Sequence, residues 1–184
     1  YSSTHGGYVL KSDEIGWAGA SWTKHATDTA SGSAGGFGEL SANAYDKGSP
    51  WFYCDWGSRA QYNKTAWLKS SEVADMINAL MLFKADNSTG EHLYQTDKPH
   101  PYGGEIWSED RVREELRNRG MTPYNSITNI SVGADFGSGR TTSVSVSGDA
   151  GSGSFAGGEV KDIFNLRAPA NIQIVGPLFN VEKQ

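Results

Sequence analysis

Apolar residues in the first third of the chain come in short pieces between Gly and Ser, at 8–10 (YVL) and 15–22 (IGWAGASW). The run TASGSAGGFGE at 29–39 has too little apolar surface to offset its ordering entropy and reads as a long surface loop, most simply an insertion.

The middle of the chain switches to helical spacing. Val73, Met76, Ile77, Leu80, Met81 and Phe83 form a wide apolar stripe, with Ser70 or Ser71 as N-cap and Glu72 and Asp75 near the first turn. That predicts a core-facing helix over 71–84. A second helix over 109–119 is better punctuated, with Ser108 as N-cap, Glu109 and Asp110 following it, Trp107 and Val112 as a hydrophobic staple, Gly120 at the stop and Pro123 beyond. Its stripe is thin, only Val112, Leu116 and Met121. It reads as a surface helix touching the body along one edge.

The last third alternates with period two. Residues 126–134 alternate through Ile130, Val132 and Ala134, the turn ADFGSGR follows, and 141–147 alternate through Thr142, Val144 and Val146. The pair reads as a hairpin with one Ser/Thr face toward solvent. A flexible stretch at 148–158, a short helix at 159–165 and a strand at 171–175 complete the pattern. The fold class is α+β, a mostly antiparallel β-sheet with two main helices and long Gly/Ser-rich loops, in a single domain or the C-terminal portion of one over 1–184.

Composition narrows the function. Lys and Arg (16) are outnumbered by Asp and Glu (21) and are scattered, so nothing resembles a phosphate-neutralising stripe and nucleic acid is not expected as a partner. The strongest apolar run, 76–83, is far short of the roughly 20 residues a transmembrane helix needs. The 23 glycines, abundant Ser, Thr and Asn and scarce Lys match secreted and cell-surface β-rich proteins. A chain that starts at Tyr1, in what reads as ordered sequence, is expected to be a processed or excised piece of something longer.

Candidate chemistry is sparse. Ser138 lies in a GSG turn rather than a nucleophile elbow. Cys54, the single cysteine, has His5, His25, His92 and His100 as possible partners but reads first as a buried small hydrophobe. The histidines lack metal-ligand spacing; DKPHPYGGE offers His100 and Glu105 but reads as an exposed loop. No metal and no cofactor is expected. For cleavage of a glycosidic bond, Glu14, Glu39 and Glu105 are candidate acids without a context that lifts them above solvated surface. The stretch SPWFYCDWGSR at 49–59 packs Trp51, Phe52, Tyr53 and Trp56 beside Asp55 and Arg59. Alternating rings point both ways, so it reads as core with partial exposure, and secondarily as a sugar-stacking platform.

Several landmarks resemble one family. The segment SSTHGGY at 2–8 is similar to the "SSGG" segment of the SpoIID/LytB family (stage II sporulation protein D and amidase enhancer). The order of Ile127, Ile130 and Val132, then SGRTTSVSVSG at 138–148, then SFAGGEVKDIFNLRAPANIQI at 154–174 is similar to that family's closing pattern. The helix at Ser71 sits where the family has one, and 29–39 and 87–105 are then surface insertions.

The resemblance implies an extracellular or cell-wall domain that meets peptidoglycan glycan strands, of a lytic-transglycosylase-like kind. The family's acid lies upstream of the "SSGG" landmark, so the catalytic residue is unknown here, and the chain alone is expected to be inactive. Neither Cys54 nor His5 inherits a metal. The glycan-facing residues would be Ser3, His5, Trp51, Tyr53, Asp55, Trp56 and Arg59, with an upstream segment of the same precursor or self-assembly as further partners. A noncatalytic surface or filament subunit and a carbohydrate-binding module are the alternatives. The sequons at Asn63, Asn87 and Asn129 are expected to be chance in a bacterial wall protein.

Overall fold

Residues 7–48, 67–174, 176–181 and 183 are described by a computed structural model. Strands β1 (Tyr8–Val9) and β2 (Ala26–Thr27) pair antiparallel, and helix α1 spans Phe37–Asn43. Helices α2 (Ser70–Ala85) and α3 (Glu109–Asn118) precede β3 (Ile127–Asp135), β4 (Arg140–Gly148), β5 (Gly151–Ala156) and α4 (Gly157–Arg167). The fold is α+β. Its larger sheet has the order β3-β4-β5, antiparallel throughout.

Helix α2 is the centre of the main core. Every residue from Ala74 to Leu80 is buried, including Asp75 and Asn78, so this helix is enclosed on all sides rather than amphipathic. Ala74, Ile77 and Leu80 pack with Val112 and Leu116 of α3, Val144 and Val146 of β4, and Val160 and Ile163 of α4. Leu82 faces inward, while Phe83 is 40% exposed. Ser70 does not cap the helix. Its hydroxyl donates to the Ile127 carbonyl (2.6 Å) and accepts the Ile127 N–H (3.0 Å), clasping α2 to the start of β3. Glu72 instead accepts the Lys69 N–H at 2.7 Å.

Helix α3 follows its signals. The Ser108 hydroxyl accepts the Arg111 N–H at 3.2 Å, and Gly120 ends the helix in the left-handed conformation at φ 73°. Val112 and Leu116 are fully buried, so a two-residue stripe is enough to dock it.

The hairpin forms with a correction to its face assignment. Gly133 pairs with Ser143 but Ala134 pairs with Thr141, so one extra residue sits in β4. That bulge turns Thr142 outward and Thr141 inward. The Thr141 hydroxyl then donates to the Phe179 carbonyl (2.7 Å) and accepts the Phe179 N–H (2.9 Å), tying the C-terminal tail to the sheet.

Two further expectations are overturned. The stretch 148–158 is not a flexible loop but holds β5 and the start of α4, with hydroxyl pairs Ser145–Ser154 (3.2 Å) and Ser147–Ser152 (2.9 Å) across the solvent face. The segment 171–174 is not a strand. The Asn165 side chain takes the place of a neighbouring strand, accepting the Ile174 N–H (2.7 Å) and donating to its carbonyl (3.0 Å).

The proposed insertions are both structured. Helix α1 begins inside 29–39, and Leu40 packs with Tyr8, Leu10 and Leu178 in a second, smaller core. The segment 87–105 opens with a 3₁₀ turn at Asn87–His92 and roots Leu93 in the main core. No helix among the described residues is long and apolar enough to cross a membrane.

Candidate functional site

Two sequence landmarks about 130 positions apart meet at one corner. Strand β1 places Tyr8 at 1% exposure, and its hydroxyl donates to the Phe136 carbonyl in the β3–β4 turn. The ring packs against Gly139, where a Cβ would come within 2.7 Å of Tyr8 Cδ1 and φ is already 63°. Only glycine fits that position. Burial, then Asp135 and Glu39, push the Tyr8 hydroxyl above its ordinary pKa.

Beyond the glycine, β4 begins with Arg140, whose Nη2 lies 3.8 Å from Glu14 Oε1. Glu14 sits on a 3₁₀ turn at Asp13–Ile15, accepts the Lys11 N–H at 2.7 Å and holds both oxygens 3.1 Å from His25 Nδ1. Burial pushes its carboxyl up, but the Lys11 N–H, the His25 ring and Arg140 outweigh burial and keep it below its ordinary value. An ionised carboxylate accepts only, so Nδ1 donates to it, and the other ring nitrogen is Nε2. That Nε2 is buried without a hydrogen-bond partner among the described residues, and the ring is 5.8 Å from Tyr8.

A second strained group lies along the same strand pair. Burial, then Asp46, push the Asp28 carboxyl up, against a hydrogen bond from the Asp46 N–H. Both Asp46 carboxylate oxygens and the Thr27 hydroxyl are buried without partners among the described residues. The corner therefore holds one well-oriented carboxylate–imidazole pair and one poorly satisfied acidic pair.

A leaving-group oxygen is protonated by a carboxylic acid whose pKa is raised, and Glu14 is shifted the other way. Its role here is to orient His25 and to receive Arg140. Stability tests this. A carboxyl lowered on folding contributes stability above its ordinary pKa of 4.5 that is lost as the pH falls below it. Glu14→Gln is expected to lower the urea midpoint at pH 7 and to bring it close to that of the wild-type protein at pH 3; an equal gap at both values would refute the assignment.

The other named residues fall elsewhere. Ser3, His5, Trp51, Phe52, Tyr53, Cys54, Asp55, Trp56, Arg59 and Asn63 lie outside the described residues. Glu39 accepts the Gly35 N–H at the start of α1 (2.7 Å), and the Ser138 hydroxyl donates to Asp135 within the turn (2.6 Å). His92 and His100 lie in a separate loop with Glu105. Asn87 and Asn129 are both exposed. Among the described residues, no group of three or more His, Cys, Asp or Glu is placed to hold a metal ion. The Glu14–His25 pair escaped the sequence reading because the two residues lie on separate elements, a 3₁₀ turn and the approach to β2, whose contact no local spacing marks.

No family model matches the chain, and no curated protein or solved structure matches it either.

Proposed function

We propose that this chain is the glycan-facing part of an extracellular, peptidoglycan-associated domain of the SpoIID/LytB kind, with the catalytic acid supplied from outside the chain. The supporting observation is the packing of Tyr8, from the opening landmark, against Gly139 of the SGR turn, from the closing landmark. Landmarks far apart in sequence that converge on one corner fit a shared surface. Arg140, its side chain 43% exposed, completes it with a guanidinium that suits the lactyl carboxylate of a muramic acid residue. The lowered Glu14 carboxyl supports a binding role over proton donation at this corner.

Co-sedimentation with purified sacculi and with peptide-stripped glycan strands tests the reading. The chain is expected to be retained by both, Arg140→Ala to reduce retention several-fold with unchanged melting, and no cleaved glycan to be released by the chain alone. Absence of retention at low salt would sink the proposal. Release of cleaved strands would place the acid within this chain.

A further inference from the structure

We propose that residues 93–106 form a preorganised sugar-stacking loop with Tyr102 as its contact ring, taking a pyranose unit of a neutral or N-acetylated glycan. This goes beyond the corner reading and shares no residue with it. The loop's feet are closed by the Trp107 N–H donating to the His92 carbonyl (2.9 Å) and by His92 Nδ1 donating to the Glu105 carbonyl (2.9 Å). The His92 ring stacks on Trp107 at 4.4 Å and 10°. From below, Arg167 Nη1 donates to the carbonyls of Tyr94 (3.1 Å) and Trp107 (2.9 Å). On the flank, Asp97 accepts the Ala170 N–H at 2.7 Å.

Inside this frame one imidazole sets the tip. His100 Nε2 donates to the Glu91 carbonyl at 2.7 Å, which leaves Nδ1 to accept the Tyr102 N–H at 3.0 Å. The rings of Tyr94, His100 and Tyr102 meet edge-on, with centroids 4.8 to 6.4 Å apart. Gly104 lies against the imidazole, where a Cβ would sit 2.9 Å from Nε2. Tyr102 is nevertheless 84% exposed. A loop tied at both feet and at its tip has lost its conformational entropy before any partner arrives, and that ordering presents a ring which itself buries almost nothing.

The size and surroundings of the patch select the occupant. The exposed Tyr102 ring offers an apolar face of one sugar unit, and Thr96, Lys98 and Glu105 of the same loop are exposed hydrogen-bonding groups. A stable protein partner needs roughly 800 Å² per side with an apolar centre. The apolar C–H face of a pyranose needs only one ring.

The test is a titration of the full chain with β-1,4-linked N-acetylglucosamine tetraose and with cellotetraose, followed by amide chemical shifts. Saturable binding of at least one is expected. Tyr102→Ala should weaken it at least tenfold and melt with the wild type, Tyr102→Trp should retain or tighten it, and Gly104→Ala should weaken it with Tyr102 in place. Failure of both sugars to bind, or equal binding by Tyr102→Ala, overturns the proposal. Retention on sacculi through Arg140 would be unaffected by that failure, so the two readings are separable.

Discussion

Replacing Arg167 with alanine is expected to destabilise the protein by about 3–5 kcal/mol, the usual result of removing one member of a buried ion pair. Arg167 is the last residue of α4, and its side chain is wholly buried. Nε donates to Asp75 Oδ2 at 2.7 Å and Nη2 to Oδ1 at 3.1 Å, so the guanidinium grips the carboxylate of α2 with two parallel bonds. Nη1 holds the two loop carbonyls at Tyr94 and Trp107. Alanine would leave a carboxylate with little solvent access and two carbonyls without donors, which costs more than the attraction itself. For a chain of this size that corresponds to a melting temperature roughly 10 °C lower. Lysine at 167 keeps the charge but not the fork, and should fall between. Asp75→Ala combined with Arg167→Ala should cost less than the sum of the two single changes, because the second removal relieves the charge that the first strands. A melting temperature for Arg167→Ala within about 2 °C of wild type would show that the pair does not anchor α4.

That anchor also shows where sequence reading stops. Helix α3 was legible because local signals, Ser108 and Gly120, mark its ends without tertiary help, whereas α2 was legible from its apolar spacing and not from its cap. The hairpin was legible from Val144 and Val146. Strand β5 was not, since GSGSFA has no apolar alternation and is held by hydroxyl pairs and by its ladder to β4. Helix α1 was hidden for a similar reason, as a seven-residue helix in a Gly-rich run needs only Leu40 to dock it. The segment 171–174 misled in the opposite direction, because its apolar alternation is real but its backbone bonds to no strand: the Asn171 N–H goes to Gln95, the Ile172 N–H to the Pro169 carbonyl and Ile174 to the amide of Asn165. The corner was half legible: glycines and SGR could be read as landmarks, whereas the Glu14–His25 contact depends on how the 3₁₀ turn folds back on β2. Asp75 read only as a charge near the first turn of α2, and Asn78 carried no signal of its own. They are instead the two places where its buried centre makes specific polar contacts.

Asn78 leads to the second large effect. It has no solvent exposure and sits mid-helix, where asparagine is a poor helix former, so its presence needs a tertiary reason. Its amide spans the backbone of Tyr124, donating from Nδ2 to the carbonyl (2.7 Å) and accepting the N–H at Oδ1 (2.8 Å). The link between α3 and β3 has no ladder of its own at that point, and the side chain supplies one rung. Asn78→Leu keeps the volume approximately but strands a buried donor and a buried acceptor, each worth about 1–3 kcal/mol, so a loss of roughly 2–5 kcal/mol is expected. Asn78→Asp should also be severe, because it sets a carboxylate against the Tyr124 carbonyl. The local readout is amide exchange. The Tyr124 N–H should be protected in the wild type and exchange much faster in Asn78→Leu, even where the rest of α2 and β4 stay protected. A leucine variant that melts at or above wild type with Tyr124 still protected would mean that apolar packing, not the amide, holds this link against α2.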